Sequence, residues 1–388
     1  MKKTLAILAA AAMTVSLAAC GVGTDSDAIA TTAGSSVSIG VYEPQTPAGI
    51  RESLAITYAN IRRPAVVING VSHQIRLHRQ DSRSGRAAEK LVRKGCVAII
   101  GSCAPEECFS AAPVFAEAKI PAVSSCSNEN ITLRNDYFFM ARSPAAFQGT
   151  LLANWAVDNG YRQVSVVNSV DDSYSLQLTK AFTARLTARG GQVRLMLPLP
   201  ADPAGYGSLL TRIRNSGSKA VFAPVSAVQG ARLLKQATAQ NLQAQWMSGD
   251  HWITPSLLSE SAVPAEGAVL TCGYTEGGNE NFDRAFRAWL ESDPQRLKDN
   301  GGTAKVYAGQ AMTYDSYNAV LDAMEAAGTT EGATIRDTLS NLQVKHSVTS
   351  LQGFDIHGNA RRSSGCMLRV RNGKFSFAGT IALKKLNP

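Results

Sequence analysis

The feature that most restricts the fold is the stretch from Cys96 to Asn130, CVAIIGSCAPEECFSAAPVFAEAKIPAVSSCSNEN. The apolar run Val97 to Ile100 ends in Gly101-Ser102. A helical segment follows from Pro105 to Lys119, and a second apolar run, Ile120 to Val123, ends in Ser124-Ser125. Two runs this short, separated by about one helix, predict a strand, a crossover helix and a parallel strand. In open parallel sheets ligands settle beyond the carboxyl ends of the strands, where helix N-termini offer unpaired N–H groups. Ser102 and the segment Ser124 to Asn128 occupy such places, which ordinary βα turns fill equally well.

The same alternation runs through the chain. Val37 to Tyr42 predicts a strand and Ile50 to Ile61 a helix; Ala65 to Asp81 predicts a hairpin turning at Asn69-Gly70. Gly85 to Lys94 reads as helical and Tyr137 to Met140 as a strand leading into Arg142-Ser143-Pro144. The pattern then restarts. Helices are expected over 147–159, 174–189, 206–215 and 227–239, alternating with strands over 163–168, 192–197, 220–224 and 245–248. Ala268 to Cys272 is a further strand, Asn281 to Ser292 and Ala304 to Ala327 are long helices, and the tail from Gly353 to Phe377 is β-like. The expected fold class is α/β, with two doubly wound, Rossmann-like lobes joined by a multi-strand hinge. The lobes are expected at 37–143 plus 273–348 and at 144–272 plus 349–388. Crossings near Ser143, Cys272 and Thr349 would make the hinge.

The N-terminus reads as an export signal. Met1-Lys2-Lys3 is basic, Thr4 to Ser16 is apolar but too short for a membrane span, and Leu17-Ala18-Ala19-Cys20 closes it. That closing motif resembles the bacterial lipobox. The resemblance implies a signal peptide over 1–19, cleavage before Cys20 and lipidation of its thiol. Residues 20–36, poor in large aliphatic side chains, would tether a body held outside the cytoplasmic membrane, on its periplasmic or extracellular face.

Charge and motif content exclude other classes. Loss of Lys2 and Lys3 with the leader takes the formal charge from +9 to +7. The basic residues are scattered and not interleaved with aromatics, so no nucleic acid is expected as a partner. There is no GxSxG, P-loop, HExxH or placed Cys/His pair, so the chain is not read as an enzyme and no cofactor is expected. No CxxC or HxxxH spacing announces a metal site. Six cysteines besides Cys20 permit disulfides in an exported protein. A bridge from Cys126 to Cys103 or to Cys108 and a second from Cys272 to Cys366 are the candidates, leaving one thiol pair unassigned.

The segments Ser38-Ile39-Gly40-Val41-Tyr42, Val97 to Gly101, Ala118 to Val123, Phe147-Gln148-Gly149, Ser248-Gly249-Asp250 and Tyr317-Asn318-Ala319-Val320 carry a resemblance. Over roughly Val37 to Phe377 the chain resembles the type I periplasmic binding proteins, in particular the leucine/isoleucine/valine-binding branch serving branched-chain amino acid ABC transporters. The resemblance implies a ligand's carboxylate held by Ser102, Cys103, Ala104 and Pro105 together with Cys126, Ser127 and Asn128. It further implies an ammonium group met by Asp250 and aromatic cover from Tyr174, with Phe147, Trp252 and Tyr274 as further candidates. Asp250 could instead cap the segment that follows it, and Tyr174 could merely start a capped helix after Asp171-Asp172.

One departure bears on the ligand. Where that family often has serine or threonine after the strand ending at Gly101, this chain has Ala104-Pro105-Glu106-Glu107. Acids there would repel an anion, which leaves the ligand class open to a cationic or neutral solute. The expectation is a lipid-anchored receptor that traps an amino acid or related small polar molecule by hinge closure and delivers it to an ABC transporter permease. The alternatives are a sensor that signals to a membrane receptor, and a binder of a cationic amine or other solute.

Overall fold

The computed structural model describes residues 32–126 and 129–384. Alternation of short apolar runs with helices gives two sheets, each with its own core. The first is built from β1 (Thr32–Ala33), β2 (Val37–Glu43), β3 (Ala65–Ile68), β4 (Val71–Asp81), β5 (Ala98–Ile100), β6 (Ala122–Ser124) and β7 (Phe138–Met140). Its order is β1-β4-β2-β5-β6-β7, with β3 hairpinned onto β4. The hairpin turns at Asn69 and Gly70, both at positive φ as a type I′ turn requires. Strands β2, β5, β6 and β7 run parallel, so their carboxyl ends share one edge.

The second sheet comprises β8 (Gln163–Asn168), β9 (Gln192–Pro198), β10 (Ala220–Phe222), β11 (Gln245–Ser248) and β12 (Val269–Cys272). To these the tail adds β15 (Ser364–Arg371) and β16 (Lys374–Ala382), in the order β16-β15-β12-β11-β10-β8-β9. The fully buried strands β10 (AVF) and β12 (VLTC) read as nearly continuous apolar runs, as expected of a sheet covered on both faces.

Two expectations shift. The folded body begins before residue 37: β1 pairs with Val71 and Ser72, and the Gly34 N–H donates to Ser72 O at 2.8 Å. The tail from residue 349 is expected in the second lobe, but its hairpin of β13 (Leu351–Phe354) and β14 (Ala360–Arg362) packs on the first. Leu351, Phe354 and Ala360 join the core formed by β2, β5, β6 and the helix Ala308–Ala327. Phe354 meets Phe139 edge-on at 5.2 Å, and Met140 N–H donates to Gly358 O. The turn at Gly358-Asn359 marks a hairpin, but its residues do not reveal which core it joins. Residues 1–31, including the expected signal peptide and Cys20, lie outside the described residues. Among the described residues no helix is long and apolar enough to cross a membrane.

The crossings between the sheets touch one another. A Cβ at Gly273 would fall 2.2 Å from Ser143 Oγ, so glycine is needed where the first two strands of the hinge meet. Arg362 donates to Ala141 O in the first crossing and to Thr349 O and Oγ1 in the third. Buried Asp315 accepts from Val348 N–H at 2.7 Å, Thr349 N–H at 3.0 Å and the Ser347 and Thr349 hydroxyls.

Candidate functional site

A cavity of about 220 Å³ opens where β7, the first crossing and the second lobe meet. Asn130 and Met140 line it from the first lobe, Arg142 to Ala145 from the crossing, and Gln148, Ser173, Tyr174, Gln177, Asp250 and His251 from the second. Asp250 follows β11, at the carboxyl end of a parallel strand, where open α/β sheets place ligands. It does not cap the following segment. Its backbone N–H donates to Gln148 Oε1 at 2.9 Å, Tyr174 Oη donates to its Oδ1 at 2.7 Å, and Arg142 donates to its Oδ2 at 3.2 Å. Gly249 lets these groups approach, since a Cβ there would lie 2.3 Å from Tyr174 Oη and 3.0 Å from Gln148 Oε1.

Tyr174 does both things its sequence context suggests. Asp172 Oδ1 accepts its N–H at 3.0 Å and caps the helix Ser173–Ala188, which aims the ring into the cleft. There it stacks on His251 with centroids 3.5 Å apart and planes 15° from parallel. Burial, then the neighbouring Asp250 charge, push its hydroxyl well above the ordinary tyrosine range, so it remains a proton donor at neutral pH.

The first-lobe bank differs from expectation. Ser102 is fully buried; its carbonyl accepts from Ser124 Oγ and its own Oγ accepts from Ala104 N–H at 3.1 Å. Ser124 Oγ also accepts the Cys126 N–H at 2.9 Å. These hydroxyls bind the turns to each other, which is the ordinary βα-turn role. Cys103, Ala104 and Pro105 are half-buried beside them, Cys126 is buried, and none of the four lines the cavity. Ser127 and Asn128 lie outside the described residues. The acids that shape this bank are Glu43, at the end of β2, and Glu52, in the helix Pro47–Arg62, while Glu106 is exposed. Burial, then the charge of Glu52, raise the Glu43 carboxyl well above the usual range. Glu52 is raised by burial and partly relieved by hydrogen bonds from the Ser125 and Thr313 hydroxyls.

Three aromatic candidates fall elsewhere. Trp252 is wholly buried in the second-lobe core, its Nε1–H donating to Val225 O at 3.0 Å and its ring filling the space over Gly230. Tyr274 packs with Phe282 in a satellite core, and its hydroxyl donates a hydrogen bond to Asp283 Oδ1. Phe147 lies against Gly365 of β15 and is not among the cavity residues. Conversely, Arg142, Gln148, Gln177, His251 and Asn130 were not singled out. For Arg142 a signal existed: a basic side chain two residues past the strand Phe138–Met140, at the crossing the sequence places near Ser143.

The six cysteines among the described residues are thiols in this structure. Cys108 contacts Cys126, which favours that pairing over Cys103 with Cys126. Cys272 and Cys366 are register partners across β12 and β15.

Comparison with known proteins agrees with this architecture. The leucine-binding protein LivK of Thermotoga maritima superposes with a TM-score of 0.63 at 24% identity, covering 89% of this chain and 99% of its own. A solute-binding protein of an ABC transporter from R. palustris, solved with 4-hydroxybenzoate, gives 0.64 at 18% identity over 89% and 97%. At these identities the likeness is one of fold. A Leu/Ile/Val-binding protein homolog 6 of Brucella melitensis is 24% identical over 249 residues, so the chain matches 62% of that relative's length and 62% of its own. The profile of the periplasmic binding protein family matches residues 77–373. With that match and the two-lobed α/β architecture, the chain belongs to the periplasmic binding protein family, in its type I form.

Proposed function

We propose that this chain is an extracytoplasmic, lipid-anchored solute receptor that captures a zwitterionic amino acid between its lobes and presents it to an ABC transporter permease. The observation that carries the reading is the Arg142–Asp250 pair inside the cavity. A guanidinium and a carboxylate 3.2 Å apart offer complementary partners to the carboxylate and ammonium of one small molecule. Tyr174 and Gln148 hold Asp250 in place, and the Tyr174–His251 stack supplies an apolar wall for a side chain. The leucine-binding relative and the Brucella homolog support an amino acid as the class.

Binding acts through closure. A solute favours the closed form only by binding it more tightly than the open one. Arg142 belongs to the first crossing and Asp250 to the second lobe, so a solute that bridges them couples occupancy to the hinge. The lipobox-like Leu17-Ala18-Ala19-Cys20 supports the anchor. No catalytic role is assigned to any residue.

A cationic amine is the second reading, favoured by the buried Glu43 and Glu52 on the first-lobe bank. A sensor that signals to a membrane receptor would use the same closure. A thermal-shift screen of the purified chain against amino acids, amines, aromatic acids and sugars tests the ligand class. A ligand at about 100 times its Kd adds about 2.7 kcal/mol of stability. Shifts confined to α-amino acids support the proposal; shifts confined to amines lacking a carboxylate, or to aromatic acids lacking an amine, overturn it.

A further inference from the structure

At the carboxyl ends of β2 and β5, three side chains converge that the solute cavity does not use. Glu43, Glu52 and Cys103 each place one ligand atom, a carboxylate oxygen or Sγ, so that the three lie within 4.8 Å of one another. Glu43 is 1% exposed and Glu52 7%, so both carboxyls are withdrawn from water. Glu43 Oε2 accepts the Cys103 N–H at 3.0 Å, and Glu52 accepts the hydroxyls of Ser125 and Thr313. Glu43 Oε1, by contrast, is buried with no hydrogen-bond partner. A buried acceptor left unpaired costs about 1–3 kcal/mol, and a second carboxyl alongside adds repulsion.

The thiol narrows the choice of cation. Cys108 sits against Cys126 and Cys272 opposite Cys366, while Cys96 and Cys103 stand at opposite ends of β5. Cys96 precedes the amino end of the strand Ala98–Ile100 and Cys103 follows its carboxyl end, and the four steps from Cys96 to Ile100 alone span roughly 13 Å at strand rise, beyond the roughly 7 Å limit of a disulfide. Cys103 is therefore left without a cysteine partner, beside two acids. Thiolate with two carboxylates suits a borderline-soft divalent ion better than an ammonium group, and a bare ion fits where exposure is this small.

We propose that Glu43, Glu52 and Cys103 bind one divalent transition-metal ion of the zinc class, with Cys103 as a thiolate ligand. Ligand atoms around tetrahedral zinc lie roughly 3–4 Å apart, so the three side chains draw together by about 1 Å on binding. Three protein ligands leave a fourth position for water or a solute atom. The Arg142–Asp250 pair supplies no ligand atom to this site, although the Arg142 charge acts on Glu52, and a metal here takes the place of the cationic amine considered above.

The test is cobalt titration of the full-length chain, purified in detergent and stripped with a chelator. The expected result is a thiolate-to-cobalt absorption band saturating at one equivalent and bleached by zinc. Cys103→Ser removes the band, Cys96→Ser keeps it, and Glu43→Gln weakens cobalt binding by at least about tenfold. Circular dichroism of each variant, with a band expected in Cys96→Ser, separates lost binding from lost folding. No band in the wild type, or a band that survives Cys103→Ser, overturns the site. Solute binding measured on the same stripped protein reports separately on the receptor reading.

Discussion

The two banks of the cleft hold the same kind of group in opposite circumstances. On the second-lobe bank, Asp250 keeps 16% of its side chain exposed and is met by Arg142, Tyr174 and Gln148. On the first-lobe bank, Glu43 is 1% exposed, faces Glu52, and leaves one oxygen unpaired. A carboxylate with its counter-ion can exchange that partner for a solute at little cost. A carboxylate without one is driven towards neutrality by burial, or must recruit a cation. The contrast separates a bank built for exchange from one built to hold.

The comparison is sharpened first by removing the aromatics that looked alike in sequence. Trp252→Ala should destabilise the protein by about 3–5 kcal/mol in urea unfolding, because it empties a buried site in the second-lobe core. A loss below about 1 kcal/mol would show that the ring is not a core residue. Arg362→Met removes the hydrogen bonds to Ala141 and Thr349 and takes from buried Asp315 the opposing charge that acts on it, and loss of such a buried charge partner costs about 3–5 kcal/mol. Burial already draws the Arg362 guanidinium down to about 10 against the opposing charge of Asp315. This variant should also alter closure, read as a change in the radius of gyration with and without solute. Tyr174→Phe should cost about 1.5–3 kcal/mol in the unfolding of the free protein through loss of a hydrogen bond to a charged group, and should weaken solute binding because Asp250 is then held less firmly.

The smallest effect tests the first-lobe bank. Glu43 and Glu52 are raised in the fold, so between their ordinary and folded values the folded state binds more protons than the unfolded one. Stability of the metal-free protein therefore falls as pH rises above about 4.5, the ordinary glutamate value. Glu43→Gln, which cannot ionise, should flatten that slope. A steeper slope in the variant would contradict the burial argument.

Much of this was legible in the sequence where the signal is local. Apolar runs ending in small polar residues announce parallel strands, and Asn69-Gly70 announces its hairpin. Asp250, just past a strand, and Tyr174, just past a helix cap, both line the cavity, as their local pattern suggests. Trp252 and Tyr274 do not. An aromatic near a site has the same local pattern whether it faces in or out, and what decides for Trp252 is Gly230, a residue of another helix. Glu43, Glu52 and Cys103 come from three separate segments, so no spacing rule could have joined them. The Arg142–Asp250 pair likewise spans 108 residues and exists only once the first crossing meets the second lobe.

The most direct test of the receptor account is calorimetric titration of wild type and Asp250→Ala with the amino acid that shifts the melt most. The account predicts saturable, one-to-one binding in the cleft, weakened by about 2–5 kcal/mol in the variant, whose unliganded melt stays near that of the wild type. Equal affinity in the two proteins would contradict it, because the solute would then be held without the group around which the second-lobe bank is arranged.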